Sequence, residues 1–275
     1  MTTSRRPTPS RSGILPLALA GLIGVACADH ADGRWAGWTT LRLDATAGPL
    51  FDGQVEIRLD ESAGERRMRT RSSATLLGLE VARAWTETVL DAGTGRPRSC
   101  VAYSPKRGRR YRFGDAAYSV EKLRPPEGPE VPPERWEVTS REEFANPEGG
   151  ASDGWLHDSY GMLLGLRALG LNEPGDAAAV HVATSGGPEL FRVSVEERRT
   201  RRRSYTDLAS GEPTSSDVHE LRLRIVPAGA EADEGLLGME GETEVWVEAA
   251  TKTPIEISGQ VPQVGRVTLS LAALG

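Results

Sequence analysis

Polar and apolar residues alternate along most of this chain. From Gln54 to Leu59, Val55, Ile57 and Leu59 fall on one side and Gln54, Glu56 and Arg58 on the other, which is the period of a half-buried strand. The same period of two runs through Thr40 to Leu43, Arg67 to Thr75 and Trp85 to Leu90. A glycine-rich turn from Asp91 to Pro97 (DAGTGRP) links Trp85–Leu90 to Ser99–Tyr103 as a hairpin. Pro105 to Gly108 supplies another turn, after which Arg109 to Phe113 and Tyr118 to Leu123 read as short strands. Residues 124–150 turn rich in Pro, Glu and Gly and read as a solvated loop, because proline cannot donate to a strand ladder.

The period then changes. In DSYGMLLGLRALGL, starting at Asp158, the residues Met162, Leu163, Leu166 and Leu169 fall at helical spacing, with Asp158 placed to cap the first turn. Gly161 and Gly165 inside this helix, at roughly 1 kcal/mol each in propensity, would let another part of the chain approach closely. Gly170, or the turn from Asn172 to Gly175, ends it. Strands resume at Val180 to Ala183, turn over Ser185 to Pro188, and continue through Leu190 to Glu197 and the stripe Leu221, Leu223, Ile225. Three more follow: Thr243 to Glu248, Ile255 to Val261 and Val267 to Leu271. About eleven or twelve short strands and one central amphipathic helix predict a mainly β protein, a large curved antiparallel sheet, open barrel or sandwich.

The first residues follow a different rule. Arg5, Arg6 and Arg11 precede an uncharged run from Gly13 to Ala26, which reads as a secretory signal peptide. That run is 14 residues long and contains Pro16, too short to span a membrane, where about 20 apolar residues are needed. Gly24-Val25-Ala26-Cys27 resembles a bacterial lipobox, making Cys27 the site of lipid attachment; an ordinary cleavage after Ala28 is the alternative. No apolar residue follows the Arg5-Arg6 pair as a twin-arginine signal requires, so the general secretory route is expected. The expected organisation is a signal peptide over 1–26 (1–28 with ordinary cleavage), a tether over 27–37, and a single β-rich domain over 38–275. The residue directly after Cys27 is Ala28 rather than the Asp of an inner-membrane retention signal, so the expected location is the outer membrane, facing the periplasm. The alternative is a soluble periplasmic protein.

Charge narrows the partners. The chain has 33 Lys and Arg against 39 Asp and Glu, and losing residues 1–26 removes three arginines and no acid, which takes the net charge from -6 to -9. An acidic chain of this kind is no dedicated nucleic-acid binder, and its membrane attachment would rest on the Cys27 anchor. Two basic clusters stand out against this background: Arg198, Arg199, Arg201, Arg202 and Arg203 in one run, and Lys106, Arg107, Arg109, Arg110 and Arg112 in another. They could bind a polyanion such as lipopolysaccharide, since Arg makes bidentate contacts to phosphate, or they could be solvated strand edges that resist aggregation.

Reactive chemistry leaves little trace. His30, His157, His181 and His219 lie at no metal-ligand spacing, and His157-Asp158 with Asp153 reads as a helix cap beside a loop imidazole. Neither a nucleophile elbow nor a phosphate-binding glycine loop occurs. Glu142, Glu143, Glu242, Glu244 and Glu248 could supply paired carboxylates, but nothing in their spacing singles out a pair. Cys100 reads as a small buried hydrophobe on a strand. No catalytic residue, metal or cofactor is predicted.

Several stretches carry a family resemblance. The segment from Asp158 to Asp176, with its helix and following P-G-D turn, resembles the exported bacterial proteins of domain of unknown function 3108. The closing pattern EVWVE (Glu244–Glu248), TPIEI (Thr253–Ile257) and GRVTL (Gly265–Leu269) is similar to that family's last three strands, and the resemblance spans roughly residues 38–274. It implies an envelope protein with a curved β-sheet and brings no catalytic residues. Three functions stay open: an envelope lipoprotein enclosing a hydrophobic ligand, a structural protein binding polyanion, glycan or protein through its basic hairpins, and a hydrolase with a non-local site.

Overall fold

The computed structural model describes residues 37–126, 131–149, 155–229 and 236–275. The signal peptide, Cys27, His30 and Asp153 lie outside the described residues. The alternating stretches form a meander, each strand antiparallel to the next: β1 (Thr40–Thr46), β2 (Phe51–Ser62), β3 (Glu65–Leu76), β4 (Leu79–Asp91), β5 (Pro97–Ser104), β6 (Arg107–Phe113), β7 (Ala117–Arg124) and β8 (Glu137–Ala145). A second meander comprises β10 (Ala177–Thr184), β11 (Gly187–Asp207), β12 (Pro213–Pro227), β13 (Glu240–Glu248), β14 (Pro254–Val261) and β15 (Gly265–Leu274). Antiparallel pairing of β1 with β15, Leu43 opposite Leu271, fuses the two into one sheet of 15 strands. The short β9 (Leu156–His157) lies parallel to β10 at one edge, and β8 forms the other.

Two expectations are corrected. The stretch read as a loop over 124–150 contains β8, because its prolines crowd before residue 134 and return at Pro147, leaving EVTSREEFA free to pair with β7. The strands of the second meander are also longer than expected: β11 runs for 21 residues and β12 for 15. A bulge between Val195 and Glu197 bends β11, and its far end, Thr206 and Asp207, comes to lie parallel to Ala273 and Leu274 of β15. Strands β11 to β15 thereby complete a closed circuit.

The helical segment is shorter than its apolar spacing suggests. Helix α1 (Gly161–Gly165) passes into a 3-10 turn over Leu166–Leu169, which Gly170 stops at φ 67°. Asp158 serves as the cap: its Oδ1 accepts the N–H groups of Tyr160 and Gly161 at 3.1 and 3.0 Å. Met162, Leu163 and Leu166 are buried in the main core with Leu41, Leu43, Val193, Leu223, Ile225 and Ile257. The two helix glycines are required by neighbours within the same chain. A Cβ on Gly161 would stand 2.6 Å from Asp158 Oδ2, and one on Gly165 would stand 2.8 Å from the His157 ring.

Strand direction gives the sheet two rims. The connections β1–β2, β3–β4, β5–β6, β7–β8, β10–β11, β12–β13 and β14–β15 all lie at one, called here the upper rim. Thr39 and Thr40 donate to the Gly275 carbonyl at the lower rim, at 2.6 and 2.7 Å.

Candidate functional site: a graded cavity under the upper rim

Cross-strand register explains the site. Residues facing one another across antiparallel strands point to the same side of the sheet. One row running over β4 to β7 reads Thr88, Cys100, Tyr111, Val120, and the next row towards the upper rim reads Thr86, Ala102, Arg109, Lys122. Ser104 opposite Arg107 begins a third. The face is therefore graded. Its deep row is buried and largely apolar, and its outer rows end in cations.

Beside the residues that lead into α1 this face lines a half-open cavity of about 380 Å³, walled by Cys100, Tyr111, Tyr160, Ala183 and Leu237, with Asp158 and Arg109 among its polar lining. A wider space of about 610 Å³ shares Ala102, Arg109, Tyr111 and Tyr160 with it and opens past Lys106, Arg107, Lys122 and Arg124. The aromatic wall at this mouth is braced from behind. Trp85 stacks on Tyr103 at 5.3 Å, Trp136 meets Tyr103 edge-on at 5.7 Å, and a Cβ on Gly108 would touch Trp136 at 3.2 Å.

At the cavity floor Asp158 ties the helical segment to the sheet, accepting from Thr88 Oγ1 at 3.0 Å while it caps α1. Burial, reinforced by the Asp158 carboxylate, pushes the Cys100 thiol well above its ordinary range, so it stays protonated. This agrees with the reading of Cys100 as a buried hydrophobe. Burial likewise raises the Tyr160 phenol, partly offset by its hydrogen bond with Thr86.

The basic residues singled out in the sequence do not stay together. In β6, Arg107 and Arg109 point towards the cavity, whereas Arg110 and Arg112 point to the opposite face and bond Glu121 at 3.0 and 2.9 Å. Lys122 reaches Glu142 at 3.3 Å. The arginine run lies along the far arm of β11, where Arg198 pairs with Glu173. Arg199 and Arg203 both bond Glu220, a carboxylate of zero exposure directly opposite Arg199 on β12, and Arg199 also covers the Trp246 ring at 3.4 Å. Arg201 and Arg202 remain exposed.

The glutamates of the closing strands are similarly engaged, Glu242 with Arg224, Glu244 with Arg266, and Glu248 with the Thr251 backbone and hydroxyl. Among the described residues no group of three or more His, Cys, Asp or Glu could hold a metal ion. The residues that sequence reasoning missed are Tyr111, Tyr160 and Glu220. Glu220 sits in the alternation HELRLRI, whose polar stripe reads as solvent-facing until the register with β11 is known.

No family model matches the chain, and no curated protein matches it. Among solved structures it is similar to a β-barrel-like protein of domain of unknown function DUF1849 from Brucella abortus. The two are 10% identical with a TM-score of 0.51, over 86% of this chain and 95% of that one. At that identity the likeness establishes the β-barrel-like fold alone.

Proposed function

We propose that this protein is an exported envelope lipoprotein whose open barrel holds an amphiphile, an acyl chain bearing an anionic head group such as a phospholipid or lipopolysaccharide presents. The observation that carries the reading is the gradient across β4 to β7: an apolar row ending on Cys100, Tyr111 and Val120 lies deep, and Arg107, Arg109 and Lys122 lie at the mouth. Acyl carbons gain by leaving water for the deep row, and a phosphate or carboxylate gains charge-assisted hydrogen bonds at the mouth. Export and anchoring rest on the basic-then-apolar residues 1–26 and on Cys27, and the resemblance to domain of unknown function 3108 points the same way.

Native mass spectrometry of the exported chain carrying Cys27→Ala, followed by solvent extraction, tests the cavity. The expected result is one bound amphiphile per chain, lost when Ala102→Trp fills the space between Thr86 and Arg109. A chain that is always empty and takes up no fluorescent fatty acid would sink the reading. The anchor is tested separately by intact mass: a diacylglycerol on Cys27 of the native chain is expected, and a soluble product starting at Asp29 would refute it.

A further inference from the structure

The upper rim carries apolar surface that the core does not use. Among the described residues the exposed large hydrophobics are Leu50, Leu76, Leu77, Leu79, Val81, Val138 and Val264. They come from four separate parts of the chain, yet all stand at the same end: Leu50 in the β1–β2 connection, Leu76 to Val81 around β3–β4, Val138 at the start of β8, and Val264 between β14 and β15. Single exposed apolar residues are ordinary, but a set gathered at one rim marks an interaction surface.

The β3–β4 hairpin is its most prominent part. β4 begins at Leu79 but pairs with β5 only from Trp85 onward, so Leu79 to Ala84 have β3 as their one ladder neighbour. Leu77 and Leu79 are 67% and 72% exposed, and the Leu77 N–H bonds the Leu50 carbonyl at 2.9 Å, joining the two apolar turns. Leu76 and Leu79 are partners across the ladder and share one face, and Leu77 crowns the turn between them, so the hairpin ends in three apolar side chains beyond its last neighbour on the β5 side. A projecting apolar tip of this kind enters an acyl layer, and the cations set back from it suit an anionic surface rather than a second apolar one. Further along β4 come Trp85 and its partner Tyr103, level with the turn that carries the exposed Lys106 and Arg107. The apolar tip thus projects beyond a level that carries both aromatic rings and cations, the side chains that meet the interface and its phosphates when a tip enters the acyl layer.

We propose that the upper rim docks on a phospholipid bilayer, with the β3–β4 tip in the acyl layer and Lys106 and Arg107 among the headgroup phosphates. This does not depend on what the cavity holds, although a rim docked in this way sets the cavity mouth against the lipid.

Vesicle flotation tests the proposal on the full exported chain carrying Cys27→Ala, so that no acyl anchor contributes. With vesicles of phosphatidylethanolamine and phosphatidylglycerol, the protein is expected to float. Leu77→Asp with Leu79→Asp should lower the bound fraction at least about tenfold, because burying even one leucine is worth that much. Lys106→Glu with Arg107→Glu should weaken binding at low salt and matter less at high salt. Both leucines are exposed, so an unchanged melting curve is expected for that double variant and separates lost docking from lost folding. Failure of the parent to float, or equal flotation of the leucine variant, overturns the proposal. A parent that stays with the protein fraction as a dimer, dissociated by the leucine substitutions, would instead assign the rim to a second copy of the chain. An empty cavity in a protein that floats would count against the proposed ligand and leave the docking intact.

Discussion

Five arginines can share six positions on β11 because a buried carboxylate lies beneath two of them. Glu220 accepts from Arg203 through both of its oxygens and from Arg199 at 3.2 Å, while Glu256 bonds Arg203 at 3.5 Å. Arg199 is further held over Trp246, which Arg222 approaches on the same face at 5.9 Å. The net worth of such a cluster over an apolar one is small, but removing its fully buried member leaves the largely buried Arg203 without its principal carboxylate. Glu220→Gln keeps the shape and takes away the charge, and it is expected to cost about 3 kcal/mol in urea denaturation. Arg201→Gln, at an exposed position two residues from Arg199, should change stability by less than about 0.5 kcal/mol. Equal effects at the two positions would mean that the run acts through its total charge and that Glu220 has no special place in it.

At the scale of elements, the turn between β4 and β5 is organised by Asp91, whose carboxylate accepts from the backbone N–H groups of Gly93 and Thr94, the Thr94 hydroxyl and Arg98. The Thr94 backbone and the Arg98 guanidinium lower its pKa from 3.8 to about 2. A carboxylate depressed on folding stabilises the folded state above its unfolded pKa, and that contribution disappears as pH falls towards the folded value. The melting temperature of Asp91→Asn should therefore lie below that of the parent at pH 6, with the gap closing between about pH 4 and pH 2. A gap that is constant over this range would remove Asp91 from the acid response. This hairpin was legible in the sequence because its turn is dense in glycine and its strands bury one face, and the same holds for β1, β2 and β15. β8 was not, because every one of its residues is exposed or half-buried, so no apolar alternation marks it. The extent of β11 was hidden for a related reason: past the bulge its stripe changes from valines to arginines whose burial depends on Glu220 across the ladder. The cavity lay out of reach in the same way. Arg107 and Arg109 read as part of one basic cluster until register separates them from Arg110 and Arg112 and sets them in line with Tyr111.

For the molecule as a whole, the decisive feature is where the sheet does not close. Among the described residues no ladder joins β8 to β9; side chains bridge the seam instead. Tyr118 donates to the Thr184 carbonyl at 3.4 Å and stacks on Phe144 at 5.3 Å, Phe144 packs against Gly187, and His181 Nε2 meets the Gly149 carbonyl at 2.8 Å. Gly187 has φ 130°, a conformation that side chains other than hydrogen rarely adopt, so the backbone demands glycine there. Such a seam lacks the repeated backbone hydrogen bonds that hold β1 to β15, and local opening follows the weakest set of contacts. Hydrogen exchange should accordingly find the amides of β8 opening at much lower free energy than those of β1, β14 and β15. Phe144→Ala should speed exchange in β7, β8 and β10 while leaving β1 and β15 unchanged. Cys100, Tyr111 and Ala183 belong both to the small core behind this seam and to the cavity wall, so an amphiphile bound in the cavity should slow exchange in β8. Uniform acceleration by Phe144→Ala would show that the sheet opens as one cooperative unit, and entry of a ligand would then have to come through the upper rim rather than through the seam.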